Sequence, residues 1–198
     1  MYDIVKKLLF ARQLKLEKGE VILLGHPITM VPLLTFTEIR KILKKIDATN
    51  ILYEACKKSG IDYLQSIKKN FKMKTKKDLI EWGVNTISLA GWGNTEVYNF
   101  DEKKKSTIIR LYNSTFAKAY GRAKEPVDDV FRGYVAATGV MVFNDNSMEA
   151  VEVNCMSMGS KICEFLVKRK SEFDLTKKSV SNQLEINNKS LRKIIKKS

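Results

Sequence analysis

Residues 149–168, EAVEVNCMSMGSKICEFLVK, constrain the fold of this chain more than any other stretch. Apolar and polar residues alternate up to Cys155, break at Met158-Gly159-Ser160, and resume through Ile162, Cys163, Phe165 and Val167. A period of two on either side of a glycine-containing break predicts a β-hairpin. Strands paired about that turn bring Cys155 and Cys163 near each other. Glu152 stands three residues before Cys155, which in a regular strand puts the two on opposite faces. Convergence of Glu152, Cys155 and Cys163 therefore requires a bulge or bend between them.

The setting of these thiols decides how they are read. The chain has 198 residues and three cysteines, Cys56 being the third. Residues 1–16 carry neither an apolar signal-peptide core nor a small-residue cleavage site, so a cytoplasmic, reducing location is expected. In such a compartment neighbouring cysteines favour metal binding over a disulfide. No apolar run reaches the ~18 residues of a membrane helix. With 44% hydrophobic residues the chain can bury one domain-sized core. The net charge of +14 suits nucleic acid or an anionic surface, but the lysines are spread out, as on a plain solvated surface. One dense run stands out at 68–77, KKNFKMKTKK.

Upstream, 1–9 has the spacing of a short amphipathic helix, and 10–16 with 21–24 predicts a hairpin about Glu17-Lys18-Gly19-Glu20. His26, the single histidine, falls between Gly25 and Pro27 in an expected turn, where a solvated role is the ordinary one. Thr37 reads as the cap of a helix that buries Ile39, Ile42, Leu43 and Ile46. A second helix is expected over 48–59, stopped by Gly60, with Cys56 on its apolar stripe as a small core residue. Residues 61–84 read as helical with a basic middle. Strands are expected over 85–89, 96–100 and 107–112, and loop or short helix over 113–121. A helix starts at Pro126, where Asp128 and Asp129 suit the positive end of the dipole. It carries Phe131, Val135, Val142 and Phe143, with Gly133, Ala136, Ala137 and Gly139 permitting close packing.

The tail, 170–198, turns polar and basic. Its sparse apolar residues, Val180, Leu184, Ile186, Leu191 and Ile194, predict a helix near 180–184 and a second from Lys189. That spacing is compatible with nucleic-acid binding, although a DNA-binding unit of this type normally has a third helix. An amphipathic appendage or a partly disordered tail is the alternative.

Several stretches together resemble the 4-vinyl reductase domain family. They are Ile51-Leu52-Tyr53-Glu54-Ala55-Cys56-Lys57-Lys58-Ser59-Gly60, then Gly91-Trp92-Gly93, then Pro126-Val127-Asp128-Asp129-Val130-Phe131-Arg132-Gly133-Tyr134, and above all Glu152-x-x-Cys155-x-x-x-Gly159-x-x-x-Cys163-x-Phe165. The resemblance implies an α+β fold of the kind shared with TRAPP subunits, an antiparallel sheet with helices packed on one face. It also implies homodimers and a small apolar ligand held in an internal cavity, for which Tyr53, Trp82, Trp92, Phe131, Tyr134 and Phe143 are the aromatics placed by motif. In the family's phenol-responsive sensors, Glu and Cys hold a zinc ion at this motif. Carried over, the ligands are Glu152, Cys155 and Cys163, with Asp128 standing where the family has a further cysteine. Two thiolates and two carboxylates carry −4 against +2, which calls for a nearby cation such as Lys161. Two thiols in a hairpin without metal remain the other reading.

The expected organisation is an N-terminal helix and hairpin over 1–36, the ligand-binding domain over 37–169 and the basic tail over 170–198. Three functions follow: a small-molecule sensor or accessory domain with structural zinc; a regulatory protein whose tail meets nucleic acid or an acidic partner; and a reductase. The last lacks a GxGxxG after a strand, a P-loop and a redox CxxC, and one turn histidine provides no paired nucleophile and base.

Overall fold

The computed structural model describes residues 14–185 apart from Leu24, so the expected helix over 1–9 and the second tail helix from Lys189 lie outside the described residues. Helix α5 (Asp129–Phe143) is the centre of the molecule: thirteen of its fifteen residues are buried. A helix apolar nearly all round can satisfy itself only inside a protein. On one side it meets a four-stranded antiparallel sheet of β4 (Asn94–Asp101), β5 (Ser106–Tyr112), β6 (Met148–Asn154) and β7 (Cys163–Arg169) in the order β4-β5-β7-β6. On the other it crosses α2 (Asn50–Asn70). The expected α+β architecture is observed.

The α2–α5 crossing corrects one expectation. Gly60 does not stop α2, which runs on to Asn70, nearly three turns further, because this glycine is buried where a Cβ would stand 2.9 Å from the Ala137 Cβ. Opposite, a Cβ on Gly133 would lie 2.5 Å from the Tyr53 carbonyl oxygen and 2.8 Å from the Cys56 Cβ. Both glycines serve backbone approach. Cys56, at this crossing, is half-buried rather than a core residue.

α1 (Leu33–Lys44) begins before Thr37, whose hydroxyl donates to the Leu34 carbonyl at 2.9 Å within the helix instead of capping it. Its buried residues are Thr37 and Arg40, whereas Ile39, Ile42 and Ile46 are exposed and Leu43 half-buried. The apolar stripe, expected inward, faces outward. The inward position is taken by Arg40, which reaches Asp129 at 2.6 Å and the Pro126 carbonyl at 2.6 Å.

Residues 85–89 form no strand. They are the last turns of α3 (Lys76–Leu89), started by a reciprocal cap between Thr75 and Asp78 and ended at Gly91, whose φ is +77°. The basic stretch before it is a corner between two helices. Ser114 caps α4 (Thr115–Tyr120), and α5 begins three residues after Pro126.

At the N-terminus, β1 (Leu14–Glu17), β2 (Glu20–Leu23) and β3 (His26–Ile28) form a separate antiparallel sheet. The Lys18-Gly19 turn has both φ angles positive, the geometry that matches strand twist. His26 opens the third strand rather than a turn, its ring edge-on to Tyr63 with centroids 5.0 Å apart.

The first part of the tail is packed. Helix α6 (Lys178–Leu184) follows a short turn, and Phe173 and Leu184 cover Val151 on the sheet face away from α5. Helices thus line one face, and the tail covers a corner of the other. Gln183 closes the outer edge of β6: its side-chain carbonyl accepts from the Glu152 N–H at 2.8 Å and its amide donates to the Glu152 carbonyl at 3.0 Å. Among the described residues no helix is long and apolar enough to cross a membrane.

Candidate metal centre and apolar cavity

The opening hairpin forms with the required irregularity. β6 and β7 pair in register through Glu152–Phe165, then shift so that Asn154 opposes Glu164. The extra residue, Val153, re-aims the chain, so Cys155 comes to the side of Glu152. The connection is longer than the expected turn at Met158-Gly159-Ser160. It spans 155–162 and contains a single 3-10 turn, Met156–Met158, ended by Gly159 at φ +102°. The Cys155 carbonyl accepts from the N–H groups of Met158 at 3.1 Å and Ser160 at 3.2 Å, folding the loop back. Cys163 then begins β7 within reach, its sulfur accepting from the Met156 N–H at 3.2 Å.

Asp128 arrives from the N-terminal end of α5. The ligand atoms of Asp128, Glu152, Cys155 and Cys163 all lie within 4.8 Å of one another, and all four residues are buried. Asp128 accepts from the Ser114 hydroxyl at 2.8 Å and 3.1 Å, and its own N–H donates to Glu152 Oε2 at 3.1 Å. Glu152 Oε1 is buried without a hydrogen-bond partner among the described residues. Lys161 is exposed and so does not neutralise the cluster from within. The buried cations nearby, Arg40 and Arg132, are committed to Asp129 at 2.6 Å and 3.0 Å.

Three of the four acidic groups so confined hold their protons more strongly than usual, and Cys155 holds its own less. Burial pushes the Asp128 carboxyl up to about 6, against the help of hydrogen bonds from Cys163 and Ser114. Burial, then the charges of Asp128 and Cys155, push Glu152 well above the carboxylate range. The thiols divide a proton: donation from Cys163 brings Cys155 down to about 5, and keeping that proton drives Cys163 upward. Two sulfurs and two carboxylate oxygens within this distance of one another could hold a metal ion.

A second feature lies between α3, β4, β5 and α5. It is a small cavity of about 40 Å³, partly open to solvent, walled by apolar residues including Ile80, Ile87, Val97, Ile109, Val135 and Phe143. Three threonines line it. Thr107 donates to the Asn99 carbonyl at 2.6 Å and Thr138 to the Tyr134 carbonyl at 3.0 Å. The buried hydroxyl of Thr95 has no partner among the described residues.

Of the six motif aromatics, Phe143 lines this cavity, its ring stacked on Phe100 at 5.3 Å. Tyr53 lies under the Arg132 guanidinium, 3.8 Å from its ring centre, with its hydroxyl on Glu149. Trp82 leans on Phe71. Trp92 packs edge-on against Phe131 and Tyr134, and Phe131 against Phe165. Tyr53, Phe131 and Tyr134 belong to the core beside the cavity, and Trp82 and Trp92 pack against it half-buried. The residues that do wall it sit at 80, 83, 84 and 87 of α3, a helical spacing visible in the sequence once 85–89 is read as helix.

No protein-family model matches the sequence, and no curated protein matches it. Among solved structures, the phenol-responsive sensory domain of the transcription activator PoxR superposes with a TM-score of 0.74 at 16% identity, covering 92% of this chain and 96% of that one. A vinyl-4-reductase family protein from Methanocaldococcus jannaschii aligns with a TM-score of 0.47 at 22% identity, over 72% of this chain and 83% of that one. A trafficking protein particle complex subunit 3 from Naegleria fowleri, covalently bound to palmitic acid, aligns with a TM-score of 0.48 at 15% identity, over 70% and 92%. The chain has the fold of the PoxR sensory domain over nearly its whole length.

Proposed function

We propose that this chain is a small-molecule-binding sensor or accessory domain that takes an apolar ligand into the α3–β5 cavity and is held together by a structural zinc ion. The carrying observation is the cavity itself: apolar walls with one unpartnered hydroxyl are the usual make-up of a site for a small, mostly apolar molecule. That the domain sharing this fold in PoxR responds to phenol supports the reading. Asp128, Glu152, Cys155 and Cys163 would hold the zinc, and a reducing compartment would keep both thiols available to it. The ion would tie the hairpin to the start of α5.

The cavity is tested by titrating phenol and toluene calorimetrically into the protein and into Ile109→Trp, which fills the space. Heat of binding in the parent and none in the variant is expected. Equal heats in both would remove the cavity from the proposal.

The outward stripe of α1 supports self-association. Leu34 and Ile42 on this short helix are 63% and 59% exposed, with Ile46 at 52% in the turn after it and Met30 at 81% before it. A homodimer through this face predicts twice the chain mass by light scattering, and the single chain mass for Ile42→Glu with Ile46→Glu. A parent that runs at the single chain mass would exclude the dimer.

A further inference from the structure

The corner between α2 and α3 carries the densest charge of the chain. Lys68 and Lys69 end α2, and Lys72 and Lys74 follow in the turn before the Thr75 cap. All four are exposed, and with Gln65, Met73 and Met141 they surround a shallow depression. Lys68 and Lys69 also complement the carbonyl end of α2. Lys72 and Lys74 stand beyond the helix and have no such duty.

Their pairing is unusual for this protein. Most ion pairs of the described residues engage a lysine, as in Lys44–Glu125, Lys57–Glu149, Lys76–Glu102 and Lys105–Asp145. None of the four corner lysines has an acidic side-chain partner among the described residues. The nearest acid in sequence, Asp78, is taken up by the backbone of Lys74 and by Thr75. Four ammonium groups within seven residues thus repel one another with no internal counter-charge, which favours uptake of an external polyanion.

The surroundings choose among polyanions. No large apolar side chain is exposed between 65 and 77, so there is nothing to insert into a lipid surface or to bury against an acidic protein. No arginine and no exposed aromatic is present to read or stack on a base. What remains is a set of point charges able to follow regularly spaced phosphates. We infer that the Lys68–Lys69–Lys72–Lys74 corner is a docking surface for the phosphodiester backbone of nucleic acid, independent of base sequence and separate from the cavity, the metal centre and the basic residues beyond 185.

The test measures binding of the full chain to a duplex of arbitrary sequence by fluorescence anisotropy across a salt series. Three variants are compared: the four corner lysines changed to Gln, the same four changed to Arg, and Lys189, Lys193, Lys196 and Lys197 changed to Gln. The first should bind tenfold or more weakly at low salt and flatten the logarithmic salt dependence by about 3 to 4 units, near 0.9 for each phosphate no longer neutralised. The arginine set should keep both. An unchanged slope in the corner variant overturns the assignment. So does absence of binding by the parent, a weakening confined to the tail variant, or a corner variant that releases anionic vesicles while still holding DNA.

Discussion

Cys163→Ser is expected to strip the chain of about one bound zinc ion and to lower its melting temperature by roughly 10 °C or more. Serine keeps the size of the side chain, but its hydroxyl does not ionise to serve as a ligand as a thiol does. The three remaining donors would then surround a cation with an incomplete shell, and Asp128, Glu152 and Cys155 would face one another buried with less to neutralise them. Cys155→Ser should do the same. Cys56→Ser, at the α2–α5 crossing and outside the cluster, should leave metal content unchanged. Acidification should mimic the loss. Without metal, Asp128 titrates at about 6 and Glu152 higher than an ordinary carboxyl, so protons compete for these ligands and zinc affinity falls as pH drops from 7 towards 5. Elemental analysis of protein purified without chelator decides the matter. Less than a tenth of an equivalent of zinc in the parent would sink the metal centre.

Arg132→Met is expected to destabilise the protein by about 3 kcal/mol, the lower end of the cost of breaking a buried ion pair. The guanidinium is 1% exposed and donates to Asp129 at 3.0 Å, to the Ala150 carbonyl at 3.1 Å and to the Gln183 carbonyl at 2.7 Å. The lower end applies because Asp129 keeps its second partner, Arg40, and is not left as a lone buried charge. The same change should loosen α6, which loses the donor to Gln183. Denaturation in urea reads the first effect and hydrogen exchange over 173–185 the second. A variant within 1 kcal/mol of the parent, with unaltered exchange there, would refute this role for Arg132.

How far the fold was legible from residues alone depends on where the local signals and the packing agree. The strands expected over 96–100 and 107–112 and the hairpin at 149–168 are observed; β7 has a period of two that its burial repeats, and the helix after Pro126 is apolar enough all round to be buried on nearly every side. Gly60 and Ile42 are the instructive departures. A glycine after an amphipathic run ordinarily marks a helix end, but here it is kept for the contact with Ala137, a partner 77 positions away that no local window contains. Ile42 belongs to a proper apolar stripe, yet the inward side of α1 is claimed by Arg40, whose partners at 125–129 are equally remote. Glu152, Cys155 and Cys163 were nameable because their spacing is short and motif-bound, whereas Asp128, 24 residues before Glu152, came only with the family resemblance. The need for a bulge after Glu152 followed from strand period alone. The cavity wall was not legible, since apolar residues that line a space and those that fill one are the same types. Only the relative placement of α3 and β5 distinguishes Ile109, on the cavity, from Phe131, in the core.

The two hydrogen bonds between Gln183 and Glu152 have a consequence for how such a chain behaves in a crowded cell. A terminal strand with unsatisfied amides is a template on which other chains can stack. Here one primary amide imitates a neighbouring peptide unit and occupies that template at the middle of β6. Cleavage by a protease within 170–172 would detach this mimic together with the cover that Phe173 and Leu184 give Val151. The shortened product would carry an open, apolar-backed strand, so nicking in this short segment would convert a well-behaved chain into an aggregating one.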